Sequence, residues 1–401
     1  MGDVRVRPTT DERHIDEAAR IWAEATAARD GDTEIAPLRL ARPLIEAVLD
    51  SAPARGGQTP ATVRVGFRDL PPPNGHSDEF RQGVGHTAAR APMTDLRRAH
   101  DVARAIASAV LGRRDPGPMT TADSISHHVY VGADVVVKII DAVGHSRLNR
   151  EIALAPHLPA GITAPLLGSG RCELETREVR YACYARVPGA TPGMGMPGVD
   201  EPTARLLAEE AVQRLRGLHG WTPAAHARRT LGEPLDHGGF VSRAALFAEV
   251  EELAALNRDG LVPRRVLDGL TAIAERAPSQ ARADVPVHAD CHWGNWLARD
   301  RRVTALLDFE WARFGEPMDD WFFLIRFSGP HLEAVLDVVA GATTTSSTTL
   351  RRECEVREAS YLASDLRIAL QRPDTPVQTV VENVRDLEEL VVERPWWRHA
   401  P

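Results

Sequence analysis

The sequence predicts an α+β chain in four parts. A small α/β segment (1–95) and a helix with a linker (96–118) precede a β-rich lobe (119–188) and a larger helical lobe (189–401). Three observations carry this. Branched residues alternate through a hairpin pattern at 129–140, with further strand-like stretches at 164–168 and 179–187. A Gly/Pro/Met-rich connector follows at 189–197. Beyond it, apolar residues recur at helical spacing almost to the end. A β-rich lobe joined by a short hinge to a helical lobe is the layout that sandwiches a nucleotide between them.

Taken in order, Val4-Arg5-Val6-Arg7 reads as a strand, and Thr10-Asp11 caps a helix to about residue 28 with Ile15, Ala19, Ile21 and Trp22 on one face. A second helix covers about 41–49. Residues 61–70 alternate as a strand, which Pro71-Pro72-Pro73-Asn74-Gly75 breaks. A helix at 94–111 leads into the linker 112–118. Val129-Tyr130-Val131, the turn Gly132-Ala133-Asp134 and a strand at 135–140 make the hairpin. The stretch 145–158 reads as a helix, two strands follow, and helices are expected at 202–218, 242–257 and 261–276. After an irregular stretch come a strand at 303–308 and more helices to about 393.

Composition narrows the class. The 401 residues are 43% apolar and 26% charged, which suits a globular chain large enough to bury its core without disulfides. A net charge of −8 argues against a nucleic-acid surface. No apolar run approaches the ~18 residues of a membrane span, and the N-terminus has no apolar signal core, so a cytoplasmic chain is expected. Cys172, Cys183, Cys291 and Cys354 lie far apart, so neither a zinc site nor a disulfide framework is implied. Of the 48 basic residues, Lys138 alone is a lysine. Where generic positive charge is written as Arg, a surviving Lys marks either chance or a position that needs a compact ammonium.

The sharpest segment is Val287-His288-Ala289-Asp290-Cys291-His292-Trp293-Gly294-Asn295, with Asp308 in the next apolar strand. An Asp in a tight polar loop can accept a proton from a substrate hydroxyl. Asn295 supplies an amide oxygen for a hard cation and Asp308 a carboxylate oxygen for the same cation, a set that suits Mg²⁺ bridging phosphates. That is the division of labour of phosphoryl transfer.

His288-x-Asp290-x4-Asn295 followed by Asp308 resembles the catalytic and metal-binding motifs of the aminoglycoside phosphotransferase superfamily. That family includes choline- and homoserine-kinase-like enzymes and is related in fold to protein kinases. Arg186-Val187-Pro188-Gly189 resembles its hinge exit, Leu215-Arg216-Gly217-Leu218-His219 the end of its first large-lobe helix, and Phe309 to Trp321 the segment after the metal Asp. The resemblance covers about 120–395. It implies a protein-kinase-like two-lobed fold and an ATP-dependent, Mg²⁺-requiring transfer to a small-molecule hydroxyl. Asp290 would be the base. Asn295 and Asp308 would hold Mg²⁺. Lys138 would contact the α- and β-phosphates, with Glu151 orienting it. Ser124, Ser126 and His127 would supply donors over the phosphates, and Ala185 and Val187 would line the nucleotide site at the hinge.

Departures stand beside the matches. The turn Ser124-Ile125-Ser126-His127-His128 has no glycine, and the third motif reads Asp-Phe-Glu, which puts a carboxylate, Glu310, near the metal, either in its second sphere or as a solvated residue. His288 reads as structural. His292 and Trp293 either line the acceptor pocket or pack. Cys291 reads as inert and Trp321-Phe322-Phe323-Leu324 as core. Trp396-Trp397 either packs or closes over a ligand. The whole net charge of −8 lies in residues 200–401. A negative acceptor cleft would favour an aminoglycoside or another amine-bearing alcohol; solubility explains the same excess. Residues 4–90 resemble, in truncated form, GCN5-related N-acetyltransferases: Phe80-Arg81-Gln82-Gly83-Val84-Gly85 is similar to their pyrophosphate turn, yet Phe80 departs from it and too few residues remain for the missing strands. Two alternatives to the kinase reading are a catalytically silent nucleotide-binding module and a fused acetyltransferase–kinase. The acceptor, the choice of ATP or GTP, and the oligomeric state are not readable.

Overall fold

The structure is a computed structural model. It describes residues 5–6, 63–64 and 96–398, apart from 113–114, 123, 125–126, 142–146, 175–176, 236–238, 258–259 and 373. The chain divides into two compact units. One is Met1–Glu79 with Ile368–Asp386, and the other is Phe80–Arg367 with Leu387–Pro401. In the first unit β1 (Arg5–Val6) pairs antiparallel with β2 (Val63–Arg64). The helices expected at 10–28 and 41–49, and the acetyltransferase-like turn at 80–85, lie outside the described residues.

The second unit opens with α1 (Leu96–Leu111) and a five-stranded antiparallel sheet in the order β3-β4-β5-β7-β6. Its strands are β3 (Thr120–Ala122), β4 (His128–Val131), β5 (Val135–Asp141), β6 (Leu166–Leu174) and β7 (Arg177–Ala185). The hairpin β4–β5 forms as its alternation predicts. Val135, Val137 and Ile139 point to one face, against Ala99, Ala103, Ile106 and Ala107 of α1. The period of two then turns Lys138 and Ile140 to the other face. There Ile140 packs with Leu148, Ala182 and Tyr184. Lys138 itself lies opposite Ala182 on β7.

Two expected strands shift. β6 is longer than 164–168 because pairing with β7 carries it through Gly168-Ser169-Gly170, which alone reads as a breaker. Gly170 suits this register: a Cβ there would stand 2.8 Å from the Tyr181 hydroxyl. β7 ends at Ala185, so Val187 belongs to the connector rather than to the strand. The expected helix at 145–158 is α2 (Arg147–Leu154) followed by a 3-10 turn (Ala155–His157), where Pro156 cannot continue the α-helical ladder.

The larger lobe holds α3 (Glu201–His219), α4 (Ala225–Gly232), α5 (Arg243–Leu256) and α6 (Arg264–Arg276). Asp200 caps α3 by accepting from the Thr203 N–H at 2.9 Å, and Ser242 caps α5 through the Ala245 N–H at 3.0 Å. The stretch expected to be irregular contains two short strands, β8 (Val285–Val287) and β9 (Trp296–Arg299); the strand expected at 303–308 is β10 (Arg302–Leu306), and β11 (Arg313–Gly315) follows it. β9 pairs with β10 and β8 with β11, all antiparallel. The β9–β10 turn sets Asp300 and Arg301 at φ of 51° and 62°, a conformation usually flagged by Asn-Gly and hidden here by Asp-Arg. Then follow α7 (Pro317–Arg326), α8 (Leu332–Thr343) and α9 (Ser347–Gln371); the end of α9 and most of α10 (Val377–Glu388) belong to the first unit.

Trp321, Phe322, Phe323 and Leu324 are buried core, as read. Trp396 packs as well: it is 1% exposed and its indole N–H donates to Glu358 at 2.6 Å. The four cysteines are free thiols. Among the described residues no helix is long and apolar enough to cross a membrane.

Candidate active site

The site is built where β5 and α2 of the smaller lobe face the loops after β8 and β10. Lys138 projects from the middle of β5 onto Glu151 of α2, with Nζ 3.1 and 2.9 Å from the two carboxylate oxygens. The same ammonium reaches Asp308 Oδ1 at 3.3 Å, 170 residues away in sequence. It also lies 6.0 Å from the Tyr184 ring centroid. Burial works against its charge, but Asp308, Glu151 and Glu310 outweigh it and hold the ammonium firmly protonated. Burial likewise pushes the Asp308 carboxyl up, while Lys138 pulls harder and holds it at about 2. Asp308 is in the left-handed region at φ 68°, ψ 60°, a backbone strain of about 1–3 kcal/mol for a non-glycine residue and one that clusters at functional sites.

The Asp290 loop is fastened from behind. Asp320, 0% exposed, accepts the backbone N–H groups of His288 at 3.1 Å and Ala289 at 2.7 Å, and pairs with His219 Nε2 at 2.8 Å. Ala289 is in turn held at φ 64°. His288 Nδ1 accepts the Asp290 N–H at 3.2 Å, so its proton sits on Nε2 and is donated to the Leu307 carbonyl at 2.9 Å. One neutral, fully buried imidazole thus joins the Asp290 loop to the residue before Asp308. Burial lowers its affinity for a second proton.

Asn295 sends its amide N–H₂ to the Asp290 carbonyl at 2.8 Å and to Asp290 Oδ2 at 3.2 Å. Asp290 Oδ1 is buried without a hydrogen bond, and His292 Nε2 stands 3.7 Å from it. Burial, then the nearby Asp308, push the Asp290 carboxyl well above its ordinary range, against the Asn295 bond. Burial holds His292 at about 4, hence neutral at pH 7. Cys291 is buried, donates to the Asp320 carbonyl at 3.2 Å, and burial raises its thiol far from the thiolate form. The Trp293 indole N–H donates to the Leu324 carbonyl at 3.1 Å, a packing position. The connector closes in at Gly189, φ 141°, where a Cβ would meet the Ala298 carbonyl and the Thr304 hydroxyl at 2.9 Å. Thr191 then ties it to the Trp293 carbonyl at 3.0 Å.

The structure therefore brings Lys138, Glu151 and Asp308 together, with Asp290 and Asn295 bonded to each other beside them. His127 reaches the same place: its Nε2 is 2.6 Å from Glu310 Oε1, and both side chains are buried. Glu310 is thus neither solvated nor isolated. Ser124 caps the turn by accepting the His127 N–H at 3.3 Å, while Ser126 lies outside the described residues. Ala185 and Val187 are not in this cluster. The Ala185 N–H donates to the Pro165 carbonyl at 2.8 Å. Val187 packs with Leu307 against the Ile140–Leu148–Tyr184 cluster.

Glu151, Asp308 and Glu310 each offer a carboxylate oxygen, all within 4.8 Å of one another. Oxygen donors of this kind fit Mg²⁺, and Asn295 turns its amide nitrogen to Asp290, leaving its oxygen as a further donor. Sequence reasoning missed two residues that organise the site. Asp320 was visible as an acid in an apolar helix. Arg150, described below, was hidden among the 47 arginines.

Solved structures of similar fold include aminoglycoside phosphotransferases. The ADP-bound crystal structure of APH(2'')-Ib is 14% identical with a TM-score of 0.52, covering 74% of this chain and 99% of that one. The GDP and kanamycin complex of APH(2'')-IIia is 18% identical with a TM-score of 0.57, over 72% and 97%. The GDP complex of aminoglycoside 2'-phosphotransferase-IIIa is 17% identical with a TM-score of 0.58, over 74% and 99%. At these identities the likeness shows the fold. No curated protein matches the sequence. Residues 121–354, more than half of the chain, match the family model described as the phosphotransferase enzyme family, and they span every residue of the cluster just described: the chain belongs to that family.

Proposed function

We propose that this phosphotransferase moves the γ-phosphoryl group of ATP to a hydroxyl of a small, cationic amino-alcohol, with aminoglycosides as the leading class. The observation that carries the reading is the meeting of Lys138, Glu151 and Asp308 beside the Asp290–Asn295 pair. Asp290 receives the proton of the acceptor hydroxyl. Its Oδ1 is buried and without a hydrogen bond, and its raised carboxyl makes it a better base than an ordinary Asp. Lys138 draws the α- and β-phosphates toward the floor of the site, and Glu151 holds the ammonium in place. Asn295 and Asp308, with Glu310 adjoining, would hold Mg²⁺, which neutralises phosphate charge when bound. Ser124 and His127, with Ser126, stand for the phosphate-covering turn, and Ala185 and Val187 for the hinge wall.

The acceptor class is supported by the net charge of −8 in the half of the chain that holds the Asp290 loop. Kanamycin and gentamicin stand in structures of similar fold. Because those structures hold GDP as well as ADP, GTP is the competing donor.

The test incubates purified protein with Mg²⁺, ATP or GTP, and a panel of aminoglycosides, small amino-alcohols and neutral polyols, reading acceptor mass. A phosphorylated amine-bearing alcohol supports the reading. Nucleotide binding without transfer to any acceptor favours a silent nucleotide-binding module, and acetyl-coenzyme A binding by residues 1–95 favours the fused acetyltransferase. Absence of both nucleotide binding and turnover overturns the proposal.

A further inference from the structure

Arg150 precedes Glu151 on α2 and is 5% exposed. Its guanidinium crosses to the larger lobe and donates to three backbone carbonyls. Nη1 reaches Thr230 O at 2.6 Å and Ala312 O at 3.0 Å, and Nη2 reaches Glu233 O at 2.9 Å. Thr230 and Glu233 close α4, where unsatisfied carbonyls carry the negative end of the helix dipole. Ala312 ends the 3-10 turn Phe309–Trp311, which starts from Asp308. One side chain of the smaller lobe therefore holds two segments of the larger lobe, and one of these carries Asp308.

Charge and shape make this more than packing. All three acceptors are neutral carbonyls, so the cation is held by dipoles pointing at it from different directions. Only a planar fork with several N–H groups satisfies them together; an ammonium at that depth cannot. Losing the fork leaves buried carbonyls without donors. Glu151 shares α2 with Arg150, and α2 packs against the Phe309–Trp311 turn, where Arg147 lies 4.8 Å from the Trp311 ring centroid. The distance of Glu151 from the Asp308 segment depends on where α2 sits.

We infer that Arg150 is a positioning residue that bolts α2 to the larger lobe, so that Glu151, Lys138 and Asp308 stay assembled before any nucleotide arrives. It acts through Glu151 and touches no reacting atom. The inference rests on the reading that Lys138 holds the nucleotide phosphates.

The test uses the full chain with Arg150→Met and, because Met may not fold, Arg150→Gln, which keeps two N–H donors. Two quantities are read in folded protein. The first is the amine-modification rate of Lys138 without nucleotide, resolved from the N-terminus by peptide mapping, since Lys138 is the chain's single lysine. The second is KM for nucleotide against KM for acceptor. With the bolt removed, Lys138 modification is expected to rise about 10-fold and nucleotide KM about 10-fold, with acceptor KM within about 2-fold of wild type. A lowered melting temperature alone, with Lys138 reactivity or nucleotide KM unchanged, shows a merely structural Arg150 and overturns the inference. If the wild type transfers no phosphoryl group, the phosphotransfer proposal fails on that ground, and the Lys138 modification rate still decides the role of Arg150.

Discussion

Two loops face the Lys138–Asp308 cluster, and they are held in opposite ways. The loop 288–295 is fixed by buried side chains bonded to backbone: Asp320 under His288 and Ala289, His288 between Asp290 and Leu307, and Asn295 on the Asp290 carbonyl. The turn around Ser124–His127 is held by a local cap and by the 2.6 Å contact of His127 Nε2 with Glu310 Oε1. Preorganisation thus resides in the larger lobe, where Asp290 is held in place by its own loop's bonds. On the smaller lobe's side, Lys138, His127 and Arg150 reach across to Asp308, Glu310 and the Ala312 carbonyl. Damage to the first loop should therefore abolish chemistry, while damage to the second side should act through nucleotide binding.

The sharpest break in that contrast is Asp290→Ala. It should lower kcat by about 10²–10⁴-fold while nucleotide affinity stays within about 3-fold, because the role proposed for the carboxylate is on the acceptor hydroxyl. Paired turnover and nucleotide titrations check it; equal losses in both would erase the contrast.

Lys138→Arg comes next. Arg keeps the charge, but its planar fork must fit between Val137 and Ile139 on a strand buried on one face. A loss of about 10–1000-fold in kcat/KM for nucleotide is expected, roughly 1.4–4 kcal/mol. A solvated lysine would tolerate Arg.

Asp320→Asn probes the fastening of the Asp290 loop. Asn cannot replace a carboxylate that serves two N–H groups and His219, so a loss of about 1.5–3 kcal/mol is expected in urea unfolding at pH 7. The sign with pH follows from the folded value. Burial alone would raise it, but the His219 bond, the nearby His288 and the Ala289 N–H hold it below 3.8. Its stabilisation is therefore present above pH 3.8 and lost as pH falls through the folded value, so the gap between wild type and variant should close in acid. A gap that stays constant from pH 7 into acid would contradict this.

The smallest effect is expected from His127→Ala. It removes the anchor of the phosphate-facing turn and should raise nucleotide KM by about 2–10-fold with little change in kcat. A collapse of kcat instead would place His127 with the chemistry.

Much of this was legible in the sequence because its signals are local. The hairpin carrying Lys138 follows from strict alternation, and Asp290, Asn295 and Asp308 follow from spacing in one loop and the next strand. What stayed hidden depends on tertiary pairing. The β9–β10 hairpin turns on Asp300-Arg301 without a glycine. β6 runs through two glycines because β7 pairs with it. Glu310 and Arg150 acquire their roles only from partners distant in the chain, His127 and three carbonyls of the larger lobe. Trp293, open in sequence between pocket and core, is settled by its indole bond to Leu324.

The central claim is that the strand lysine and the Asp290 loop form one nucleotide-fed transfer site. The most direct measurement is amine modification of wild-type protein with and without Mg·ATP, reading Lys138 occupancy and residual phosphotransfer in the same samples. Mg·ATP should slow modification of Lys138, and activity should fall in proportion to the fraction of Lys138 modified. Complete modification of Lys138 with full activity retained would contradict the account.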